Sequence, residues 1–349
     1  MKKVLFIDPL SSEGHINFNK IYISKLIEYH IDLQLVFKEG YINRLGFPTS
    51  LVRLSIPNHF YSITKNGLIN RICFIRILLF IKRKIEFDDY DFVIFSSYEA
   101  ISLFFSNIRH KLVLINHNNI SGLENNVKRF FFRLISKGNL HLVFEKFIQE
   151  YLFSIGIKDV IVVPHGLPTP FDFKSLKSCN FINGIINNEK FKYILFSPAS
   201  SSVDCDFIKE LINSEKFVSY LEKTKILLIV KGNFISLKTK NIIILKDYLT
   251  TKQYQFLFIK SSAILLPYPE SHKYRISAMF FEGISNNKIC FLSDIDLFKQ
   301  YRWLFNYNPY FKSIDDLISR IDEWMNSKMN KDIYNDTFAL MPTFDFLLN

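Results

Sequence analysis

Short apolar runs alternate with helical patterns along almost the whole chain of 349 residues. The runs at 4–7 and 33–37 have the length of strands, and the segments at 17–29 and 68–84 carry apolar residues three and four positions apart. Strand-length runs that alternate with amphipathic helices predict repeated βαβ units and parallel sheets. The predicted fold class is therefore α/β.

The alternation is interrupted by the segment PHGLPTP at 164–170. Three prolines and a glycine in so few residues break regular structure and are typical of a hinge between domains. The chain is also too long for one ordinary core, and its length favours two domains of about 150 to 200 residues each. We predict two Rossmann-like, doubly wound domains, 1–165 and 166–349, with the final helix able to pack back on the first domain.

Each half has its own series of predicted elements. The remaining strands of the first half are predicted at 92–96, 112–116, 140–144 and 160–163, with helices at 127–137 and 145–155. In the second half, strands are predicted at 193–197, 226–230, 242–245, 263–266 and 289–292, with helices at 206–212, 251–260 and 277–286. Open parallel sheets bind ligands beyond the carboxyl ends of their strands, so the two domains are expected to face each other across a ligand-binding cleft.

Composition excludes several classes of protein. The four cysteines lie far apart without a C-x-x-C pair, so neither a disulfide framework nor a zinc site is expected, and a reducing cytoplasm fits. The first apolar run ends at Asp8 and is too short for a signal peptide. The best candidate for a membrane span, 72–81, is interrupted by Arg76 and falls short of the roughly 18 apolar residues required. The net charge of +11 indicates an anionic partner, whether nucleotide phosphates, acidic lipids or nucleic acid.

Two histidines of the first half follow predicted strands. Gly14 and His15 lie in the loop after the first strand, and His117 and Asn118 follow the strand at 112–116. Because the carboxyl ends of parallel strands share one edge of a sheet, these residues are expected in the ligand crevice. An imidazole there can take up a proton near neutral pH, and amides give a sugar directional hydrogen bonds. The alternatives are a histidine that satisfies a helix N-terminus and an ordinary Asn-rich turn.

The second half contains LLPYPE at 265–270 and YRISAMFFEG at 274–283, which predict a strand, a polar loop and a helix. Arg275 and Ser277 lie at the helix start, where free N–H groups, a guanidinium and a hydroxyl indicate a diphosphate site. Glu282 lies further along the helix, where its carboxylate can accept hydrogen bonds from a ribose diol. Alternatively, Ser277 only caps the helix, and the two charged residues form a solvated surface.

These stretches resemble segments of GT-B glycosyltransferases, particularly glycosyltransferase family 4 and relatives of the bacterial surface polysaccharide type. The segment 265–283 is similar to their donor-binding segment, and VVPHG at 162–166 is similar to their interdomain linker. IVKG at 229–232 resembles a strand end whose lysine meets the donor phosphates, and YLT at 248–250 resembles the residues before a donor-domain helix.

The resemblance implies an enzyme that moves a sugar from a nucleotide-sugar donor, preferably a UDP-sugar, to a hydroxyl of a glycan or lipid-linked glycan in surface polysaccharide synthesis. It implies no cofactor and no metal ion, in line with the absence of a D-x-D triplet at a strand end. His15 and His117 become the candidate catalytic residues, and Asn118 becomes a candidate sugar contact. The expected donor-binding residues are Gly14, Ser200, Lys231, Tyr274, Arg275, Ser277 and Glu282.

The sequence departs from the family pattern at two places. Paired glutamates with seven residues between them would fall at Tyr274 and Glu282, so the first is missing, and Glu270 is the candidate substitute from the loop. A glycine-rich turn is replaced by SPASSS at 197–202, which offers hydroxyls instead.

Two predicted helices mix cations with large apolar residues, around 71–84 and 127–133. Such a helix either lies on an anionic membrane or packs its apolar side into the core and leaves its cations solvated. A cytoplasmic location is expected. If the helices lie on a membrane, the protein is expected to bind peripherally to the inner face of the cell membrane.

Two other functions compete with a glycosyltransferase. A nucleotide-sugar epimerase of GT-B fold would share the donor pocket and act without an acceptor. A nucleic-acid-binding protein is the weaker alternative, because the cations are spread over both halves and no nucleic-acid-binding motif is present.

Overall fold

The computed structural model describes residues 1–61, 66–172, 191–198, 206–235, 239–247, 249–327 and 333–348. These residues fold into two compact units. The N-terminal unit contains the described residues of Met1–Gly166, Tyr274–Ile276 and the chain from Ala339 onward. The C-terminal unit contains those of Leu167–Lys273 and Ser277–Phe338. The chain therefore returns to the N-terminal unit twice.

The N-terminal unit is built on a parallel sheet. Its strands are β1 Lys3–Ile7, β2 Asp32–Lys38, β3 Val52–Ile56, β4 Phe92–Phe95, β5 Leu112–Ile115, β6 Leu140–Val143 and β7 Val160–Val162. Its helices are α1 Ile16–Glu28, α2 Tyr41–Leu45, α3 Gly67–Lys84, α4 Ala100–Ser106, α5 Asn126–Ser136 and α6 Lys146–Ser154. Within the described residues the seven strands lie in the order β3-β2-β1-β4-β5-β6-β7.

Strand β1 shows why this sheet is covered on both faces. Successive side chains of a strand point to opposite faces. Leu5 and Ile7 pack into one apolar cluster with α3 and α5, whereas Val4 and Phe6 pack into another with α1. All four are fully buried, which explains why the strand reads as an unbroken apolar run.

The C-terminal unit repeats the plan. Its strands are β8 Tyr193–Ser197, β9 Ile226–Lys231, β10 Ile242–Leu245, β11 Ala263–Leu266, β12 Ile289–Ser293 and β13 Tyr310–Phe311. Its helices are α7 Asp206–Ile212, α8 Glu215–Thr224, α9 Thr251–Lys260, α10 Ala278–Ser285, α11 Asp296–Lys299 and α12 Ile314–Asn326. The described strands form one parallel sheet in the order β10-β9-β8-β11-β12-β13.

The prediction of two doubly wound α/β domains is confirmed. Every strand and helix predicted from the sequence is present, with each end within one residue of its predicted position. The sequence analysis missed β3, β13, α2, α4, α8, α11 and α12. Among the described residues, none of the helices has both the length and the apolar character that crossing a bilayer demands.

Strand order reverses beside the first strand of each sheet. In the N-terminal unit β1 lies between β2 and β4, and in the C-terminal unit β8 lies between β9 and β11. Connections on the two sides of such a point leave in opposite directions and open a crevice at the carboxyl ends of the strands. These two edges are therefore the places where ligand-binding loops are expected.

Gly166 lies where the chain leaves the N-terminal unit, against the returning C-terminal segment. Its φ of +88° is left-handed, and a Cβ there would lie 2.5 Å from Cγ2 of Ile21 and 3.2 Å from Cδ of Pro342. Gly156 has a similar φ of +86°, but a Cβ there would meet no heavy atom within 4 Å.

We expect Gly166→Ala to destabilise the protein more than Gly156→Ala. Both variants carry the left-handed strain of about 1 to 2 kcal/mol, but only the first also forces Ile21 to move, at a further cost of about 1 to 3 kcal/mol. Urea unfolding of the two variants measures the difference. Equal free energies of unfolding would contradict this account of Gly166.

Candidate functional site

The polar edge of the N-terminal sheet is organised by Asp8, which directly follows β1 and is fully buried. Its Oδ1 accepts hydrogen bonds from the backbone N–H groups of Leu10 at 3.2 Å and Ser11 at 2.9 Å, and from the Ser97 hydroxyl. Its Oδ2 accepts one from Nδ2 of Asn19 at 2.7 Å. One carboxylate thus joins the first loop to α1 and to the loop after β4.

Asp8 remains ionised despite its burial. Burial alone would raise its pKa. The interaction with His15, with the hydrogen bonds from Ser97 and Asn19, outweighs that effect and holds the pKa below its usual value. The site therefore contains a fixed negative charge in a dry environment.

His15 lies beside this charge, in a 3₁₀ turn that leads into α1. Its Nδ1 is 3.5 Å from Oδ2 of Asp8, a distance for an ion pair rather than a good hydrogen bond. Nδ1 is buried and makes no hydrogen bond within the described residues, so the contact with Asp8 is electrostatic. The side chain of His15 is 19% exposed and therefore accessible to a ligand.

His117 stacks on His15, with ring centroids 4.7 Å apart and planes 24° apart. Its ring also contacts Phe18 edge-on and Phe144. Burial, followed by the charges of His15 and His165, holds the pKa of His117 well below its usual value, against a hydrogen bond to the Ser96 backbone. Its Nε2 is buried and has no hydrogen-bond partner among the described residues.

His165 completes this group of imidazoles. Its ring contacts Phe18 at 5.2 Å and Phe144 at 5.3 Å between centroids. Burial lowers its pKa to about 4, and the charge of His15 acts in the same direction, whereas a hydrogen bond to the Gly166 backbone opposes the shift. His117 and His165 therefore share the aromatic neighbours Phe18 and Phe144, and His15, which stacks on His117, also lies beside the Asp8 carboxylate.

The loops after β1, β4 and β5 surround a pocket of about 280 Å³. It is lined by polar groups at its inner edge, including His15, Ser97, His117 and Asn118, and by apolar side chains of α4 and α5. Lys128 of α5 also contributes to the lining. The pocket lies at the reversal of strand order, so the predicted residues His15, His117 and Asn118 are brought together where a crevice was expected.

A second network fixes the loop that carries His117. Tyr98 donates a hydrogen bond to Oδ1 of Asn116 at 2.6 Å, and Nδ2 of Asn116 lies 3.2 Å from Nδ1 of His141. Nδ2 of Asn119 in turn donates to the Tyr98 backbone carbonyl at 2.8 Å. The loops after β4 and β5 therefore hold each other in place.

Gly14 lies in the same turn as His15. A Cβ at this position would meet no heavy atom within 4 Å. Packing within the described structure does not require a glycine here, and a donor-binding role for Gly14 stays a prediction.

Several predicted donor-binding residues lie in the C-terminal unit. Lys231 ends β9 and is partly exposed, while Glu270 is exposed in a 3₁₀ turn after β11. Ser277 is the N-cap of α10, since its Oγ accepts from the Phe280 N–H at 3.2 Å and lies 3.0 Å from the Tyr268 hydroxyl. The capping role considered for Ser277 is thus present, and a phosphate-binding role stays a prediction.

Glu282 is 8% exposed and accepts a hydrogen bond from the Tyr254 hydroxyl at 2.6 Å. Burial and the negative charge of Glu282 raise the pKa of Tyr254 well above its usual value, so the hydroxyl stays protonated and donates. The carboxylate is therefore held in one orientation and is not a freely solvated helix residue.

The remaining predicted residues lie elsewhere. Tyr274 and Arg275 group with the N-terminal unit, where the Tyr274 ring stacks on Tyr151 with centroids 4.4 Å apart. Ser200 lies outside the described residues. Within the part of the chain that the structure describes, no three His, Cys, Asp or Glu side chains are grouped as metal ligands would be.

Sequence reasoning missed Asp8, Ser97 and Lys128. Asp8 and Ser97 follow β1 and β4 closely, as His117 follows β5, so position after a strand was the available signal. Lys128 was noticed as a helix cation but not as part of a pocket.

No protein-family model and no curated protein matches the chain. The structure is similar to that of Anabaena HepE in complex with UDP and glucose, with a TM-score of 0.62 and 13% identity, covering 95% of this chain and 92% of that one.

Two further solved structures are similar. One is the α,α-trehalose-phosphate synthase (UDP-forming) of Burkholderia vietnamiensis, with a TM-score of 0.60 and 8% identity over 95% of this chain and 91% of that one. The other is the UDP-GlcNAc 2-epimerase of Methanocaldococcus jannaschii in complex with UDP-GlcNAc and UDP. Its TM-score is 0.54 and its sequence identity 13%, and the match covers 97% of this chain and 96% of that one. At such identities the similarity shows the fold, and the chain has the GT-B fold of two Rossmann-like domains.

The low pKa of His165 makes the N-terminal unit sensitive to acid. The native state keeps this imidazole neutral down to about pH 4, whereas the unfolded chain protonates it below about pH 6.5. Stability should therefore fall as the pH falls between these values, by about 1.4 kcal/mol per pH unit for this residue.

We expect the wild type to lose roughly 2 to 3 kcal/mol more unfolding free energy than His165→Gln when the pH falls from about 6.5 to 4.5. Urea titrations at the two pH values measure this loss. His59→Gln is the control, since this imidazole is exposed, and it should behave as the wild type. If the unfolding free energy of His165→Gln fell with pH as much as that of the wild type, His165 would not be held neutral in the native state.

Proposed function

We propose that this protein is a glycosyltransferase that moves a sugar from a UDP-sugar to a hydroxyl of a glycan or lipid-linked glycan. The observation that carries the proposal is the pair of stacked histidines, His15 and His117, that lines a pocket at the strand reversal of a GT-B fold, with the buried Asp8 carboxylate behind His15. The sequence resemblance to glycosyltransferase family 4 and its relatives supports a role in surface polysaccharide synthesis in the cytoplasm. Similarity to structures that contain UDP or UDP-sugars supports the choice of donor.

His15 would act as the general base. The acceptor hydroxyl gives its proton to Nε2 of His15 while its oxygen forms a bond to the anomeric carbon of the donor sugar. The bond between that carbon and the phosphate oxygen breaks, and UDP leaves with the electron pair. The imidazolium formed on His15 is stabilised by the ionised Asp8 carboxylate, 3.5 Å from Nδ1. A single displacement of this kind inverts the anomeric configuration.

His117 would support this step by remaining neutral. Two stacked imidazoles cannot both be charged at low cost, and burial already keeps the pKa of His117 well below its usual value. His15 can then take the acceptor proton without a second cation beside it. The amide of Asn118, which lines the same pocket and is exposed, would hydrogen-bond to sugar hydroxyls.

The C-terminal unit would bind the donor nucleotide. Glu282, held by Tyr254, would accept hydrogen bonds from the ribose diol. The positive charge of Lys231 and the helix start at Ser277 would neutralise the diphosphate, so that no metal ion is needed. Ser200 and Glu270 complete the proposed contacts of this unit. Gly14, Tyr274 and Arg275 group with the N-terminal unit, and their donor-binding role stays a prediction.

An epimerase is the second candidate, because the fold is shared with a UDP-GlcNAc 2-epimerase. The two functions differ in their need for an acceptor. A transferase releases UDP at a high rate only when an acceptor hydroxyl is present, whereas an epimerase changes the sugar in its absence.

His15→Ala should lower acceptor-dependent UDP release by about 100-fold or more, because general-base catalysis contributes this much. Asp8→Asn should also lower kcat, because the neutral amide no longer stabilises the imidazolium formed on His15. UDP release and product anomer, followed by NMR, are the measurements, and His59→Ala is the control. Full activity in His15→Ala would remove His15 from the mechanism, and isomerised sugar without acceptor would favour the epimerase.

Glu282→Gln should weaken UDP binding by about tenfold or more, because a hydrogen bond to a charged group contributes about 1.5 to 3 kcal/mol. A thermal-shift titration with UDP measures the change, since a ligand of the native state raises Tm. Glu210→Gln is the control, because this glutamate is exposed on α7. Equal UDP affinity in Glu282→Gln and Glu210→Gln would contradict the ribose contact.

A further inference from the structure

Helices α3 and α5 of the N-terminal unit are strongly basic, and α4 carries no charged residue. None of them contains Asp or Glu, whereas α3 carries five cations and α5 carries three. These cations are Arg71, Arg76, Lys82, Arg83, Lys84, Lys128, Arg129 and Arg133. In α1, α6, α8 and α12, by contrast, acidic residues accompany the basic ones.

The same helices expose large apolar side chains. Phe105, Val127 and Phe130 are 56%, 59% and 57% exposed, and Leu68 and Ile72 of α3 are exposed as well. The ring of Phe131 contacts those of Phe104, Phe105 and Phe130, at centroid distances of 5.3 to 5.8 Å. Four phenylalanines therefore form one continuous apolar surface across α4 and α5, which we call the phenylalanine patch.

Cations of α3 lie beside both ends of α4. Arg71 pairs with Glu99 at 3.3 Å at the start of α4, and Nζ of Lys82 donates to the carbonyl of Asn107 at 2.6 Å at its end. On the other side, α5 carries Lys128 and Arg133 in the same helix as Phe130 and Phe131. The charge of Arg71 is paired with Glu99, so the positive charge next to the phenylalanine patch comes from Lys82 and from the cations of α5.

The phenylalanine patch is continuous with the candidate active-site pocket. Helix α4 lines the pocket with Ala100 and Ile101 in its first turn and exposes Phe104 and Phe105 in its last turn. Helix α5 lines it with Lys128 and Phe132. One pair of helices therefore connects the pocket to the exposed apolar surface.

We propose that the phenylalanine patch and its flanking cations dock on an anionic lipid bilayer and present a lipid-linked acceptor to the pocket. Phenylalanine rings enter the interface between headgroups and acyl chains, while Lys and Arg meet lipid phosphates. Exposure of apolar surface to water costs free energy, and insertion of that surface into a membrane removes this cost. Nucleic acid would satisfy the cations but leave aliphatic residues such as Leu68 and Val127 exposed, so the combination favours lipid.

The acceptor part of this inference rests on the proposed transferase function, whereas membrane docking does not require turnover. Docking is measured by co-sedimentation with phosphatidylcholine vesicles, with and without phosphatidylglycerol. We expect the wild type to sediment with the anionic vesicles at low salt and to remain in the supernatant with the neutral ones. Added salt should weaken binding, because it screens exposed charges.

The double variant Phe105→Ser/Phe130→Ser should lower binding to anionic vesicles by about tenfold or more, because two aromatic rings that would enter the bilayer surface are removed. Phe153→Ser is the matched control, because Phe153 is also an exposed phenylalanine of the N-terminal unit, on α6. Arg83→Glu should weaken binding as well, and Lys223→Glu on α8 should not. The UDP-induced rise in Tm should be unchanged in all four variants.

Three outcomes would overturn the proposal. The first is that the wild type remains in the supernatant with both kinds of vesicle. The second is that Phe153→Ser loses as much binding as the double variant. The third is that light scattering shows a dimer that Phe105→Ser/Phe130→Ser dissociates, in which case a second copy of the chain covers the patch. Loss of catalysis with membrane binding retained would instead count against the transferase function alone.

Discussion

The burial of one ionised carboxylate constrains the whole polar edge of the N-terminal unit. A charge removed from water is tolerated only if hydrogen bonds replace its hydration, and Asp8 is surrounded by two backbone N–H groups, a hydroxyl and an amide. These donors come from the first loop, α1 and the loop after β4. The Ser11 hydroxyl extends the network, because it donates to the Asp8 carbonyl and accepts from the Lys38 N–H on β2. Loops that would otherwise be mobile are thereby fixed around the pocket.

The histidines divide their roles according to their distance from this charge. His165 and His117 are surrounded mainly by aromatic rings, which stabilise neutral imidazoles and destabilise charged ones. His15 shares the cluster but also faces the carboxylate. Three chemically identical side chains thus differ in their surroundings, since burial lowers the pKa of His117 and of His165, whereas His15 lies beside a buried carboxylate.

Strands buried on both faces were predictable because they read as unbroken apolar runs. The elements that were not predicted lack that signal. Strand β3 lies at the edge of its sheet, and its apolar residues alternate with the exposed Arg53 and Ser55. Strand β13 has only two residues, and α4 is too apolar to show a helical period. Around the pocket, the positions of His15 and His117 are predictable because both residues follow strands. That of Asp8 is not, since its burial depends on Asn19 and on Ser97, which lies 89 residues away in sequence. Sequence patterns register local burial and not contacts between distant loops.

The outer phenylalanines of α4 and α5 are not needed to attach these helices to the sheet. The inward side chains already do so: Phe132 is fully buried on α5, and Leu103 is 4% exposed on α4. A crossover helix requires one apolar face, and a second face that is apolar and basic adds nothing to the core while lowering solubility. The core thus accounts for one side of these helices, and the proposed docking on a bilayer would account for the other. The pocket between the same two helices would then open close to the lipid headgroups.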